Sequence, residues 1–342
     1  MPNVLICSYL EPELVERIAA SAAGVAVRYR PDLIPAPRFV ADHSGHPFVR
    51  DAAQRAEWSA LMREADVLFD FDYTDPKSLL SDGAGVRWVQ ATSAGIGQFV
   101  EKHGLHRPGT TLTTAAGVHA KPLAEFVLWG MLAFAKGYPI ARKQQREGRW
   151  KRFVGGELGE ATLAIVGLGS IGREVARMAR AQGLRVIGTK RTTEGFTAEQ
   201  LGVDELYAWR DLHAMIGVAD YVCLIAPHTR ETVGMMDAAA FAAMKRGSVL
   251  INIGRGTLVQ EQALMDALDH GPLAGAVLDV TPVEPLPEGH QLWSRDDVIV
   301  FPHSASTSVR ENERLTDLFL DNLQRFRDGA PLRNVYDPER QY

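Results

Sequence analysis

Three polar segments late in the chain carry residue types suited to acid–base chemistry, and each follows an apolar run typical of a strand. They contain Arg255, Glu284 and His303. Because α/β folds bind ligands at the carboxyl ends of their strands, we expect these side chains to share one edge of a sheet. A protonated His303 could donate a proton to a ketone oxygen, Glu284 could orient the imidazole, and Arg255 could bind a carboxylate or the ketone oxygen. Unlike the set of a hydrolase, these three residues include no nucleophile.

A glycine-rich turn precedes these segments. The run Gly167–Gly172 has the spacing GxGxxG between an apolar strand and a helix predicted over Arg173–Ala181. Gly167 would allow a tight turn, Gly169 would let the backbone approach a pyrophosphate, and Gly172 would let the helix pack on the strand. The helix N-terminus would attract the anion. With a further strand predicted after the helix, the pattern indicates a dinucleotide site.

The end of that next strand bears on the choice between NAD and NADP. An acid at this position would hold the 2′-hydroxyl of the NAD ribose. The sequence instead has Lys190, Arg191 and Thr192. Since arginine can stack on adenine and grip a 2′-phosphate with two hydrogen bonds, the pattern predicts a preference for NADP(H), with NAD(H) use possible. The alternative is that Lys190 and Arg191 form only a solvated turn.

The composition excludes several classes of protein. The 342 residues are 46% hydrophobic and 23% charged, with a net charge of −5. This profile is typical of two globular domains and argues against a protein that coats nucleic acid. Cys7 and Cys223 lie in apolar runs and are predicted to be buried thiols of a reducing compartment. No signal peptide, membrane-length apolar run or cluster of metal ligands is visible, so we expect a cytoplasmic protein without a metal site.

Short apolar runs alternate with helical patterns, which is typical of βαβ units and a parallel sheet. Strands are predicted at 4–6, 67–69, 88–90, 111–113, 161–166, 184–189, 221–225, 248–253, 275–280 and 298–301. The proline-containing stretch 31–55 is predicted to be an irregular surface excursion. An apolar helix is expected from about Pro122 to Lys136, and a final helix from Arg310 to about Arg327 should pack back onto the first domain. The predicted fold class is therefore α/β, with a second domain inserted into the first.

Taken together and in this order, these motifs make the chain resemble the D-isomer-specific 2-hydroxyacid dehydrogenase family over nearly its full length. The segments Leu278–Thr281 and Glu284–Pro287 are most similar to its glyoxylate/hydroxypyruvate reductase branch. The resemblance implies two Rossmann-like domains, each a doubly wound parallel sheet. Residues 1–118 and 306–342 would form a flavodoxin-like substrate-binding domain, and residues 119–305 a NAD(P)-binding domain. It also implies a homodimer built mainly through the nucleotide domain.

The resemblance also implies which residues form the site. It gives Arg255, Glu284 and His303 the substrate-anchoring and acid–base roles described above. The cofactor contacts that it implies are Gly167, Leu168, Gly169, Ser170, Ile171, Gly172, Lys190, Arg191, Thr192, Ala226, Pro227, Ile253, Gly254, Asp279 and His303. The substrate contacts that it implies are Ser93, Ala94, Gly95, Ile96, Arg255, His303 and Tyr73.

Four further positions carry expectations of their own. Gly97 stands where the family often has an acid. Asp72 would repel an anionic substrate, so we expect it to face away or to select a substrate with another polar group. His119 is predicted to be a structural or capping histidine. Trp150 either reaches the active site of a partner subunit, as in reductases of this branch, or is a buried anchor.

Two alternatives to a 2-oxo acid reductase remain open. An oxidoreductase on the same scaffold could oxidise phosphite, whereas a formate dehydrogenase is disfavoured because those relatives have a glutamine where Glu284 stands. A dinucleotide-sensing protein of the co-repressor type would keep the same three polar residues. The lack of long disordered tails argues against that type.

Overall fold

The computed structural model describes residues 2–21 and 24–340, and the chain divides into two compact units. The first unit combines Met1–His119 with Thr307–Tyr342, and the second is the continuous segment Ala120–Ser306. Each unit contains one sheet, and all described neighbouring strands within it are parallel. The prediction of two α/β domains built on parallel sheets is confirmed.

The first unit is a five-stranded α/β sandwich. Its strands are β1 Asn3–Ile6, β2 Ala26–Tyr29, β3 Val67–Phe69, β4 Trp88–Gln90 and β5 Thr111–Thr113. Its helices are α1 Pro12–Ser21, α2 Ala52–Glu64, α3 Ser78–Ser81, α4 Gly97–His103 and, from the C-terminal part of the chain, α12 Glu311–Asp328. The strand order β2-β1-β3-β4-β5 is that of flavodoxin-like folds.

The second unit has a seven-stranded sheet. Its strands are β6 Thr162–Val166, β7 Arg185–Thr189, β8 Glu205–Tyr207, β9 Tyr221–Leu224, β10 Ser248–Asn252, β11 Leu273–Leu278 and β12 Val298–Val300. Its helices are α5 Ala120–Ala135, α6 Tyr138–Arg146, α7 Ser170–Ala181, α8 Ala198–Leu201, α9 Leu212–Gly217, α10 Ala238–Ala243 and α11 Glu261–Asp269. The strand order is β12-β11-β10-β9-β6-β7-β8. From β6 the chain first adds parallel strands on one side and then, from β9 onward, on the other side. Ligands of such sheets bind at the carboxyl ends of the strands beside this switch point between β6 and β9.

Burial on both faces explains why the central strands were recognisable as short apolar runs. In β1, Leu5 packs into one hydrophobic cluster of the first unit, whereas its neighbours Val4 and Ile6 pack into the other. A strand covered on both sides is apolar at every position, as parallel sheets require. Cys7, which directly follows β1, and Cys223, in β9, are buried free thiols.

Several elements differ from the sequence prediction. The strands β2 and β8 were not predicted, because their residues are only partly buried and neither forms a continuous apolar run. The stretch 31–55 is not irregular throughout, because α2 begins at Ala52. Asp51 starts that helix with a capping box, accepting the Gln54 N–H at 2.9 Å, while the Gln54 side chain accepts the Asp51 N–H at 2.9 Å.

The C-terminal helix α12 completes the first unit. Phe319 packs with ring centres 5.1 Å from Trp88 and 5.2 Å from Phe69, both on N-terminal strands. The buried Asn322 amide donates to the side-chain oxygen of Gln90 at 3.0 Å. These contacts place residues more than 200 positions apart in one core. No helix in the described part of the chain is long and apolar enough to span a membrane.

Candidate active site

The glycine turn joins β6 to α7 with the backbone geometry that its spacing predicts. Gly167 has a φ of +116°, and an added Cβ would lie 2.9 Å from the backbone nitrogen of Ala226. At Gly172 a Cβ would lie 2.2 Å from the Gly167 carbonyl oxygen, so α7 packs directly on the turn. At Gly169 a Cβ would meet no described atom within 4 Å. The exposed turn therefore leaves room for an anion beside the N-terminus of α7.

The end of β7 carries cations, as the sequence predicts. Lys190 Nζ lies 3.6 Å from the centre of the Phe196 ring, and burial, followed by the nearby Arg173 charge, lowers the pKa of Lys190. Arg191 forms an ion pair with Glu231 at 2.9 Å, and both side chains are about half exposed. Such exposed pairs contribute about 0–1 kcal/mol, so Arg191 could exchange this carboxylate for another anion at little cost. Sequence reasoning did not single out Glu231.

His303 and Glu284 lie in direct contact in the second unit, with imidazole Nδ1 2.7 Å from Oε2 of the carboxylate. The other carboxylate oxygen accepts the Thr281 N–H at 3.0 Å. Burial raises the pKa of Glu284, but the hydrogen bond and charge of His303, the Thr281 N–H and the Arg255 charge outweigh it, so this pKa is lowered. The ionised carboxylate engages Nδ1 and leaves Nε2 as the nitrogen able to exchange a proton.

Asp279, at the end of β11, fixes the backbone that carries His303. Its carbonyl oxygen accepts the His303 N–H at 2.9 Å, and its carboxylate Oδ1 accepts the N–H groups of Ser304 and Ala305, each at 2.9 Å. Burial raises the pKa of Asp279, and these N–H groups and the His303 charge oppose that effect only in part. His303 itself has a φ of +52°, which a residue with a side chain adopts only when its surroundings enforce it.

The loop after β10 holds Arg255 through contacts that sequence reasoning missed. The Asn252 side-chain amide, buried, donates to the Arg255 carbonyl oxygen at 3.1 Å and its oxygen accepts the Gly254 N–H at 3.1 Å. At Gly256 an added Cβ would lie only 2.0 Å from the carbonyl carbon and oxygen of Thr281. This loop therefore touches the loop that bears the glutamate, with no room for a side chain. The only sequence signal was an asparagine and two glycines around the arginine.

The Arg255 side chain is partly buried in this loop. Its guanidinium donates to the Gly254 carbonyl oxygen at 2.7 Å. Burial lowers the pKa of Arg255, and the charges of Glu284 and Asp279 oppose that effect. A cation with a compromised hydration shell and two nearby carboxylates remains charged and is suited to pairing with a substrate oxygen.

The predicted substrate loop Ser93–Ile96 follows β4 in the first unit. Ser93 and Gly95 are exposed, whereas Ile96 is buried and anchors the loop. The Ser93 carbonyl oxygen accepts the Ala115 N–H at 3.0 Å. The next helix begins at Gly97 without a side-chain cap. The loop is therefore held in place by buried Ile96 and the Ser93 hydrogen bond, with Ser93 and Gly95 at the surface.

A buried polar group lies directly beside this loop. Asp70 has a φ of +69° and is fully buried, and it accepts hydrogen bonds from the Thr92 hydroxyl at 2.8 Å and the Tyr73 hydroxyl at 3.4 Å. Burial raises the pKa of Asp70, and the charge of His43 is the largest opposing effect. Burial and the Asp70 charge together hold the pKa of Tyr73 well above its ordinary value. Tyr73, predicted to contact substrate, thus has its hydroxyl directed to Asp70.

Three other predicted positions have defined surroundings. Asp72 forms a buried two-bond ion pair with Arg50, at 2.8 and 3.1 Å. His119 is buried, and its Nε2 lies 3.0 Å from Oε1 of Glu311. Trp150 is 99% exposed, so it is not a buried anchor within this chain.

The remaining predicted cofactor residues divide by exposure. The exposed or partly exposed ones are Ser170, Ile171, Thr192 and Pro227. The buried ones are Leu168, Ala226, Ile253 and Gly254. The buried residues shape the base of the turn and could offer a ligand little beyond backbone groups.

The segment that carries these second-unit residues also matches a known family. Residues 128–305 match the model for the D-isomer specific 2-hydroxyacid dehydrogenase, NAD binding domain. The chain belongs to the D-isomer specific 2-hydroxyacid dehydrogenase family. The glycine turn, Arg255, Glu284 and His303 all lie within the matched segment.

Individual relatives agree with this assignment. A glyoxylate reductase of Korarchaeum cryptofilum is 32% identical over 237 residues, which cover 68% of this chain and 70% of that protein. A D-isomer specific 2-hydroxyacid dehydrogenase from Xanthobacter autotrophicus Py2, solved with NADPH and MES, has a TM-score of 0.80 at 28% identity, covering 100% of this chain and 99% of that one. An NADPH-dependent glyoxylate/hydroxypyruvate reductase from Sinorhizobium meliloti, solved with NADP and sulfate, has a TM-score of 0.78 at 26% identity and covers both chains completely.

Membership of the 2-hydroxyacid dehydrogenase family makes this chain an NAD(P)-dependent oxidoreductase, which confirms the predicted family and enzyme class. The geometry fits a nicotinamide dinucleotide. Open space at Gly169, the positive φ of Gly167 and the close packing at Gly172 form a backbone cradle that any Cβ would obstruct or distort.

Proposed function

We propose that this protein is an NADPH-preferring reductase that converts small 2-oxo acids of the glyoxylate and hydroxypyruvate type into D-2-hydroxy acids. The observation that carries the proposal is the 2.7 Å contact between His303 Nδ1 and Glu284, with Arg255 in the adjoining loop. The glyoxylate reductase of Korarchaeum cryptofilum and the Sinorhizobium meliloti enzyme support the same substrate class. In this proposal the first unit binds substrate and the second binds the dinucleotide.

Each polar residue has a role in the proposed reaction. The bound nicotinamide would supply the hydride that reduces the carbonyl carbon next to the carboxylate. His303 would give its Nε2 proton to the oxygen on which negative charge develops, because Nδ1 is already held by Glu284. Glu284 would favour the protonated imidazole, and Asp279 would hold the loop. Arg255 would bind the carboxylate or the ketone oxygen and so stabilise the same charge.

The exposed backbone of the Ser93–Ile96 loop would bind the substrate carboxylate through its N–H groups. Donors of this kind recognise an anion without adding a charge of their own. Asp72 would not repel the substrate, because Arg50 neutralises it in a buried pair. This removes the electrostatic objection that the position of Asp72 raised in the sequence.

A homodimer is part of the proposal. Trp150 and Val154 are 99% and 96% exposed in the single chain, which is unusual for large apolar side chains. A partner subunit packed on this segment would cover them, consistent with the expectation that Trp150 reaches the site of the neighbouring subunit.

The assay that tests the proposed function follows the loss of nicotinamide absorbance with a panel of 2-oxo acids, using NADPH and NADH in parallel. We expect turnover with glyoxylate and hydroxypyruvate, and a higher kcat/KM with NADPH. Phosphite is included as a donor with NADP and NAD. Turnover with phosphite alone would replace the proposal by the phosphite oxidoreductase, and NADPH binding without any turnover would replace it by the dinucleotide sensor.

The coenzyme preference is tested at Arg191. We expect Arg191→Ala to raise the KM for NADPH about 10- to 100-fold, because a charge-assisted contact to the 2′-phosphate is lost, and to change the KM for NADH little. Glu231→Gln should act in the opposite direction by releasing Arg191 from its ion pair. Arg210→Ala, a substitution of an exposed arginine in the same unit, is the control. Equal effects of Arg191→Ala on both coenzymes would refute the 2′-phosphate role.

A further inference from the structure

Five residues of the first unit form a connected polar cluster at the carboxyl ends of its strands. Ser8 follows β1, Asp70 follows β3, and Thr92 follows β4, whereas His43 comes from the proline-containing excursion. Tyr73 completes the set, which is termed the Asp70 cluster below. Ser8, Asp70 and Thr92 are buried, and His43 and Tyr73 are partly buried.

The hydrogen bonds of the Asp70 carboxylate are nearly saturated. It accepts from the hydroxyls of Thr92 and Tyr73 and, at 3.4 Å, from the Thr92 N–H. The Phe71 N–H and the Ser8 side chain also act to lower its pKa, against the effect of burial. A carboxylate offers about four acceptor positions, so these three hydrogen bonds occupy most of them. Asp70 therefore has little capacity left for a ligand and serves to fix the groups around it.

Ser8 connects His43 to the Asp70 carboxylate. Its Oγ lies 3.1 Å from His43 Nδ1. Ser8 also contributes to lowering the pKa of Asp70. A serine hydroxyl that donates to the carboxylate can use its oxygen to accept from the Nδ1–H of His43. Ser8 thus links the His43 imidazole to the buried carboxylate.

The other nitrogen of this imidazole has no hydrogen-bond partner in the described part of the chain. Among the residues that the structure describes, nothing hydrogen-bonds His43 Nε2, although the atom is buried. A buried polar atom without a partner is costly, and such atoms in native proteins call for an explanation. In the neutral ring with the proton on Nδ1, Nε2 is an acceptor; in the charged ring it is a donor.

The chemistry of Nε2 selects the ligand group. A hydroxyl can donate to the neutral ring and accept from the charged ring, so it pairs with Nε2 in either state. An alkyl group would leave the nitrogen unsatisfied, and an anionic group would meet the negative charge of Asp70 in the same cluster. The chain also places this cluster next to the proposed carboxylate loop, since Thr92 directly precedes Ser93.

We propose that His43 Nε2 binds a hydroxyl group on the carbon chain of the substrate, and that Ser8 and Asp70 position it for this contact. The preferred substrate is then a 2-oxo acid that carries a hydroxyl beyond its ketone. This inference rests on the proposed reductase function and assigns its selectivity to the first unit.

The test compares kcat/KM for hydroxypyruvate with that for pyruvate, which lacks only the hydroxyl. The wild-type enzyme should prefer hydroxypyruvate, and His43→Phe should lower the ratio about 10- to 100-fold, because a hydroxyl-binding group is replaced by a ring that cannot hydrogen-bond. His43→Gln should recover part of the ratio, since its amide both donates and accepts. Ser8→Ala keeps the imidazole but removes the Ser8 hydroxyl that contacts its Nδ1, so it should lower the ratio by a smaller factor.

His46→Phe is the matched control, because His46 is exposed in the same excursion and should leave the ratio unchanged. Equal reduction of both substrates by the wild type, or an equal loss for both in His43→Phe, overturns the role of His43 but leaves the reductase function standing. Should His43→Phe fail to fold, Ser8→Ala and His43→Gln decide, and an unchanged ratio in both overturns the proposal. Failure of the wild type to reduce any 2-oxo acid overturns both proposals.

Discussion

The Glu284–His303 pair of the second unit and the Asp70–Ser8–His43 system of the first unit contain carboxylates whose pKa values shift in opposite directions. Glu284 touches His303 directly, is 37% exposed, and has a lowered pKa. Asp70 is linked to His43 through Ser8, is fully buried, and has a raised pKa. Direct contact with an imidazole near solvent favours the charged carboxylate. Deep burial disfavours it even where several donors converge.

The difference suggests a division of labour. The exposed pair in the second unit can exchange a proton with a substrate and with water, which a general acid must do in each turnover. The Asp70 carboxylate in the first unit is shielded from solvent and most of its acceptor positions are occupied, so it is suited to fixing the positions of neighbouring side chains. Variants of the Glu284–His303 pair should therefore affect turnover most, and variants of the Asp70 cluster should affect selectivity and stability.

The largest expected effect is on turnover. We expect His303→Gln to lower kcat about 1,000-fold, because glutamine cannot supply a proton to the developing oxygen charge. Binding of NADPH, measured by fluorescence titration, should remain near normal. His213→Gln, a change of an exposed histidine in the same unit, should leave both unchanged. Loss of coenzyme binding in His303→Gln would show that the residue acts before the chemical step.

An intermediate effect is expected at Glu284. We expect Glu284→Gln to lower kcat about 10- to 100-fold, because the charge that favours protonated His303 is removed, while Glu288→Gln in the same loop should have no effect.

The pH dependence of the unfolding free energy of Glu284→Gln tests the difference between the two carboxylates. Since the folded pKa of Glu284 lies below the ordinary value of 4.5, its stabilisation is present above that value and is lost as the pH falls through the folded pKa. Urea unfolding should show the wild type more stable than the variant at neutral pH, with the gap closing on acidification. A gap that widens in acid would contradict the lowered pKa.

The smallest effect should appear at Asp70, with the opposite sign. Its folded pKa lies above the ordinary value of 3.8, so the associated stability is present below that value and is lost as the pH rises through the folded pKa. Relative to Asp70→Asn, the wild type should therefore lose stability between about pH 3.5 and neutral pH in urea unfolding. Asp75→Asn, at an exposed position nearby, should show no such trend. A parallel response at Asp70 and Glu284 would remove the contrast between the two systems.

The sequence was most informative where one physical requirement dominates a segment. Strands buried on both faces appear as apolar runs, and the turn Gly167–Gly172 needs glycine at three positions for separate steric reasons. These features were sufficient to predict the α/β fold class and the position of the glycine turn between a strand and a helix.

The Asp70 cluster was not predicted, because it depends on contacts that have no local pattern. Ser8, His43 and Asp70 come from three separated segments, and the excursion that carries His43 has neither regular periodicity nor an apolar run. The same holds for Gly256, whose steric role depends on Thr281 in another loop. The capping box that begins α2 was visible in the sequence as Asp51 and Gln54, but the surrounding prolines and glycine favoured an irregular interpretation.

The assembly of the first unit from both ends of the chain has a consequence for biosynthesis. Its N-terminal strands leave the ribosome early, but Phe319, which covers Trp88 and Phe69, is made only after the whole second unit. The second unit is continuous and can complete its core while translation proceeds. The first unit must wait with apolar strand faces uncovered, and these nascent strands are where chaperone capture or aggregation would begin during synthesis.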